Sequence, residues 1–212
     1  MPTPSRTYAV AKRVLDLVGS GVLVLVLLPL LGVVAACIWL DDGRPVLFMQ
    51  TRIGTDGAPF RVVKFRTLTT GPKDPTRPDD YTTRVGRFLR RWALDELPQL
   101  WNVLRGEMSL VGPRPTLPDQ VEQYGSHERI RMQVRPGLTG WAQIHGRNAL
   151  SWSERIDLDV WYVRNRSLAL DLRILARTPV VLLAGTGVSG PEGRNPAYRS
   201  RPASSDPDRS SS

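Results

Sequence analysis

Cysteine and histidine are nearly absent from this 212-residue chain. A single cysteine, Cys37, excludes an intrachain disulfide and a cysteine-built zinc site. Two histidines, His127 and His145, give no basis for a multi-histidine centre, so a divalent ion here has to be a hard one held by oxygens. There is no internal repeat, no Walker loop and no GxGxxG. Acidic charge is also short: 29 Lys and Arg against 20 Asp and Glu give a net charge of +9. The surplus is local. Residues 1–43 carry three charges of each sign, whereas residues 44–149 carry 17 Lys and Arg against 10 Asp and Glu. A basic central segment points to an anionic partner, whether phosphates, nucleic acid or a lipid surface.

What the chain does have is one long charge-free run, residues 19–40. At ~1.5 Å per residue it could cross a hydrocarbon core of ~30 Å. Three topologies compete. Lys12 and Arg13 before an apolar stretch ending in "VAAC" resemble a secretory signal, but Ile38, Trp39 and Leu40 continue the run past the cleavage point. A single span is the second. Arg6, Lys12 and Arg13 precede it and Arg44, Arg52, Arg61, Lys64 and Arg66 follow it, so the flanking charges give no clear direction. The third is a re-entrant helix kinked at Pro29, with both ends on one face.

Residues 45–68 read as a β-hairpin: Val46, Phe48 and Gln50 alternate, as do Phe60, Val62 and Lys64, around "TDG" at 55–57. Residues 69–83 form a Pro-, Asp- and Thr-rich loop, expected to be mobile without ligand. An amphipathic helix follows, with Val85, Phe88, Leu89 and Trp92 on one stripe. A second helix starts near Asp95 and stops at Gly106, its apolar face made of Leu97, Leu100, Trp101 and Leu104. Residues 134–148 look like a Gly- and Pro-rich loop containing Arg135 and Arg147. Ser151 and Glu154 form a capping box for a helix carrying Trp152, Ile156, Val160 and Val163, and a last helical stretch over 168–184 is interrupted at Pro179. Beyond Gly185 no apolar periodicity remains, and 190–212 reads as a disordered tail.

Asp95 and Glu96 stand side by side before Pro98. In the plain interpretation Asp95 is a helix cap and Glu96 complements the helix dipole. In the chemical one, a carboxylate attacks a phosphorus centre while its neighbour helps hold magnesium. Lys64, Arg66, Arg90 and Arg114, the last set between prolines in "GPRP", could supply the positive charge such an attack needs.

The stretches "PVLFMQTRIG", "FRVVKFRTL", "LDELPQLWNVLRGEMSLVGPRP", "RPGLTGWAQIHGRN" and "LDVWYVRN" together resemble the bacterial sugar transferase family, the monotopic phosphoglycosyl transferases, over roughly residues 8–188. The resemblance implies a mainly α fold with a small β-hairpin. A re-entrant membrane helix broken near Pro29 would occupy 1–43, and a compact cytoplasmic catalytic domain with amphipathic interfacial helices would occupy 44–189. It implies transfer of a phosphosugar from a UDP-sugar to polyprenyl (undecaprenyl) phosphate with release of UMP, which begins lipid-linked glycan assembly. Asp95 would be the nucleophile, Glu96 would assist Mg2+, and Lys64, Arg66, Arg90, Arg114 and Arg147 would contact phosphates. The site would lie on the bacterial cytoplasmic membrane with both termini on the cytoplasmic face. The expected partners are the two substrates and the bilayer, with a homodimer allowed and no nucleic acid. The chain departs from the family in having Leu28 before Pro29, where relatives often carry Ser, and "DDGRP" at 41–45. A membrane-tethered nucleic-acid-binding or scaffold protein is the competing class, supported by net charge alone.

Overall fold

The computed structural model describes residues 6–70, 81–146 and 149–184. The heart of the loop at 69–83, Arg147 and the tail at 190–212 lie outside the described residues.

The fold is mainly helical, as expected. Its first element, α1 (Arg6–Asp42), is 37 residues long. The break expected at Pro29 does not interrupt it. Proline deletes one backbone bond, and the turns on either side keep theirs, so a run of Leu and Val stays helical through the site. Among the described residues α1 is the one helix long and apolar enough to cross a membrane. Only 11% of its most apolar stretch is buried within the protein, which leaves a large apolar surface uncovered by the rest of the fold.

Both ends of α1 are fastened to the rest of the chain. Near its start, Asp16 is buried and accepts from Leu110 N and Ser109 Oγ, each at 3.0 Å, and from Lys12 Nζ at 3.2 Å. Tyr8 donates to Asp171 Oδ2 at 3.1 Å, and Arg13 donates to the carbonyls of Val103 and Leu104 at 2.8 and 3.0 Å. At its finish, Arg66 Nη2 donates to the carbonyls of Asp42 and Gly43 at 2.7 and 3.0 Å and pairs with Asp42 Oδ2 at 3.1 Å.

The hairpin forms as the alternation predicts. Strand β1 (Leu47–Ile53) pairs antiparallel with β2 (Pro59–Phe65), with Phe48 opposite Lys64, Gln50 opposite Val62 and Arg52 opposite Phe60. The turn uses Asp56 and Gly57 in the left-handed region, φ 53° and 81°, as its sequence allows. Helix α2 (Arg84–Arg91) is capped by Thr83, which accepts from Gly86 N at 2.8 Å. Leu89 is buried and Val85 packs beside it against Phe65, Val34 and Ile38. Phe88 is 58% exposed, a departure from the expected stripe. It lies ~100° around the helix from Leu89, and the body covers only the Leu89 side.

The segment carrying the acidic pair is not the expected single helix. Leu94–Gln99 is 3₁₀, entered from Ala93 at φ 53°, and α3 (Leu100–Arg105) follows, ended by Gly106 at φ 86°. Leu100 and Val103 enter the main core with Val62, Met108, Tyr162 and Ile174. Trp101, one position round from Leu100, is 57% exposed and does not join it.

A second sheet departs from the loop expected at 134–148. Strand β3 (Ser109–Val111) runs parallel to β4 (Gly137–Thr139), and the short helices α4 (Pro118–Val121) and α5 (Ser126–Arg129) lie between them in sequence. Gly137 permits this: a Cβ there would stand 2.1 Å from Gly112 N, so two backbones meet with no side chain between. After α6 (Trp141–Ile144), helix α7 (Trp152–Asn165) starts with the predicted capping box. Ile156, Val160 and Val163 are buried on its inner face. The final helix, α8 (Leu168–Leu183), runs through Pro179 instead of being interrupted there.

Candidate active site

The site lies where the hairpin, the 3₁₀ segment and the loop after β3 meet. Asp95 is buried, and it is not a helix cap. The residue preceding the 3₁₀ turn is Ala93, and no side chain caps that turn. Burial raises the Asp95 carboxyl above the usual aspartate range, and the adjacent Glu96 pushes it further. Lys64, Arg114 and Arg90 act in the opposite direction.

Glu96 is held by Arg114 through both carboxylate oxygens: Nη1 lies 3.2 Å from Oε2, and Nη2 donates to Oε1. This fork-on-carboxylate geometry fixes both partners. The GPRP loop that presents Arg114 is itself pinned. Gly112 N donates to Thr139 O at 2.9 Å, Gly137 N donates to Pro113 O at 2.8 Å, and Arg131 Nη2 donates to Arg114 O at 3.0 Å. Arg131 is buried and pairs with the buried Asp159 at 2.5 Å, while its other amino group donates to Tyr124 OH at 2.8 Å.

Lys64 comes from β2, on the hairpin face that carries Gln50 and Arg52. Burial lowers its pKa, and Glu96 opposes the shift. Its ammonium lies 5.4 Å from the ring centre of Phe48, and among the described residues it forms no ion pair. Arg90 donates through Nε to Thr67 Oγ1 at 2.9 Å and acts on Asp95 from the α2 side.

Four residues expected to surround Asp95 thus converge: Glu96, Lys64, Arg90 and Arg114. Arg66 does not. Two residues on from Lys64 it would share that face by alternation, but β2 ends at Phe65, and the Arg66 side chain is taken up by the end of α1. Arg147 is outside the described residues. One cation was overlooked. Arg52 lies on the Lys64 face and donates to Gln50 Oε1 at 2.8 Å and to Pro115 O at 3.3 Å, beside Arg114. The signal for it was the same i, i+2 alternation that placed Lys64, extended to the end of β1. Among the described residues no three His, Cys, Asp or Glu side chains gather around a metal-sized space.

The arrangement is a carboxylate pair, a buried Asp95 and a partly exposed Glu96, facing Arg52, Lys64, Arg90 and Arg114. With both acids ionised the cluster keeps a positive surplus, so it is set to receive an anion with more than one charge.

The profile of the bacterial sugar transferase family matches residues 7–185. The uncharacterised sugar transferase EpsL of Bacillus subtilis is 44% identical over 182 residues, covering 84% of this chain and 90% of its own length. The UDP-glucose:undecaprenyl-phosphate glucose-1-phosphate transferase of Caulobacter vibrioides is 43% identical, covering 86% of this chain and 73% of its own. The UDP-galactose-lipid carrier transferase of Erwinia amylovora is 39% identical over 83% of this chain, which spans only 41% of that relative. A match of this extent, on a chain whose acidic pair and surrounding cations converge in one site, means that the protein belongs to the bacterial sugar transferase family.

Proposed function

We propose that this phosphoglycosyl transferase moves a phosphosugar from a UDP-sugar to a polyprenyl phosphate on Asp95, in two steps. In the first, an Asp95 carboxylate oxygen bonds to the β-phosphorus while the bridging phosphorus–oxygen bond breaks, and UMP leaves with the electron pair. In the second, an oxygen of the lipid phosphate bonds to the same phosphorus and Asp95 departs as a carboxylate. No proton needs to move in either step. The observation that carries this proposal is the buried Asp95 set among cations that a diphosphate would neutralise. Relatives named for UDP-glucose:undecaprenyl-phosphate transfer support the substrate classes.

The donor set suits Mg2+, which takes one or two carboxylates and leaves its other positions to water and substrate phosphates. Asp95 and Glu96 would hold it, and it would supply charge neutralisation at the phosphates. Glu96 is shared with Arg114, so this chain's contribution is a carboxylate already oriented by a guanidinium.

The unburied surface of α1 supports insertion in a bilayer, and the fastening of both its ends to one body supports a re-entrant course with the site at headgroup level on the cytoplasmic face. In a release assay with polyprenyl phosphate, Mg2+ and a panel of UDP-sugars, UMP is expected for at least one sugar, and the panel identifies it. Its absence from every UDP-sugar would overturn the proposal.

A further inference from the structure

We propose that Arg52 grips the phosphate standing opposite Asp95: the departing nucleotide phosphate in the first step and the arriving lipid phosphate in the second. This rests on the two-step transfer proposed above and adds a residue to it.

The hairpin register sets the geometry. Phe48, Gln50 and Arg52 share a face with Lys64, Val62 and Phe60 opposite them. Arg52 is at the turn end of that face. Lys64 is level with Phe48, four positions away, which is ~13 Å along a strand. Thr67, which holds Arg90, lies beyond Lys64 in the same direction. At the turn end, β1 is stitched to the chain just after Arg114. Ile53 N donates to Thr116 O at 2.9 Å and Arg52 Nη1 donates to Pro115 O. Arg90 and Arg52 therefore mark opposite ends of the site, with Arg114 toward the Arg52 end. The charges agree with this order. Asp95 is acted on by Lys64, Arg114 and Arg90, whereas Arg52 is acted on by Arg114 and Glu96.

In-line displacement at phosphorus puts the attacking and leaving oxygens on opposite sides. With Asp95 attacking from the Arg90 end, the leaving phosphate faces the Arg52 end, where the negative charge released from the broken bond collects. The lipid phosphate has to approach along the same line. Gln50 and Pro115 hold the guanidinium plane while using only part of its fork, and among the described residues no carboxylate pairs with it. Arg52 donates to that charge as it develops, and no proton is transferred.

The test is exchange of labelled UMP into UDP-sugar by the full-length protein without lipid, which reports the first step alone, together with the UMP inhibition constant. Arg52→Gln is expected to raise that constant by about tenfold or more, the usual worth of a charge-assisted hydrogen bond. It should slow exchange and raise the KM for lipid phosphate in parallel, and Arg52→Lys should recover part of each. An unchanged inhibition constant in Arg52→Gln overturns the inference, because a residue that only pins the hairpin would alter stability and not UMP affinity. If Arg52→Gln does not fold, Arg52→Lys decides: a point charge in place of a fork weakens UMP binding only if the fork holds phosphate. Absence of exchange in the unmodified protein would instead sink the two-step transfer, and this inference with it.

Discussion

Asp95 is an acid in a place that disfavours its charge. Its pKa is raised by burial and by Glu96 despite three cations nearby, so the folded chain holds the Asp95 proton more tightly than the unfolded chain does. The sign follows: the stability that Asp95 contributes falls as pH rises from the ordinary aspartate range through the raised value. Asp95→Asn removes that cost. The variant is expected to melt at the same temperature as the parent or higher, with the gap closing as pH is lowered. It should also lose UMP release by roughly 10⁴-fold or more, the scale on which removing a covalent nucleophile acts. Parallel melting curves and UMP assays decide both, and near-normal turnover would remove Asp95 from the role of nucleophile. The proposed attack by Asp95 needs its ionised form, so the acid limb of kcat/KM for UDP-sugar should fall at a pH above the usual aspartate range. A limb at ordinary aspartate pH would mean that a different group limits the free enzyme. The acidic pair, Lys64, Arg90 and Arg114 could be named from the sequence because the family resemblance marks their positions and the proposed chemistry puts those types close together. That Arg66 turns away was not legible: two residues on from Lys64 it would share that face by alternation, but β2 ends at Phe65 and the end of α1 takes its side chain.

At the scale of elements, local patterns held where local physics decides. The Ser151–Glu154 capping box forms, with Ser151 N donating to Glu154 Oε2 at 2.8 Å, and the hairpin alternation gives its register. They failed where the decision is long-range. Nothing within 134–148 announces that Gly137 will lie against Gly112, and nothing near Pro98 announces 3₁₀ geometry entered from a left-handed Ala93. The Arg66–Asp42 contact is of the same kind, a latch between β2 and the end of α1. Its worth is testable. Arg66→Met strips three oxygen partners of a buried guanidinium and is expected to cost about 3 kcal/mol, as when one partner of a buried pair is removed. Chemical denaturation in detergent measures it. The KM for UDP-sugar in the folded variant should stay near that of the parent, whereas a KM rise matching Arg90→Gln would return Arg66 to the phosphate site.

For the whole molecule, a 37-residue apolar helix, proposed above to enter the bilayer, is tied down at both ends. A straight helix of this length measures ~55 Å, long enough to put its ends on opposite sides of a ~30 Å hydrocarbon layer. The groups that hold those ends favour the re-entrant course proposed above over that arrangement. Arg13 is bound to Val103 and Leu104, and Asp42 is bound to Arg66, one residue beyond β2. Val103 and Val62 of β2 belong to one core, so a single folded body grips both ends. On the re-entrant course proposed above, the exposed middle of α1, including Leu25, Val26 and Leu28, would meet the bilayer while both ends of the helix stay on one side. Single cysteines at Ser5 and Ser200, introduced in a Cys37→Ser background, test this with a membrane-impermeant thiol reagent on intact and opened cells. Both are expected to react only after the cells are opened. Labelling of one but not the other in intact cells would establish a span and require the contacts of Arg13 and Asp42 to be broken in the bilayer.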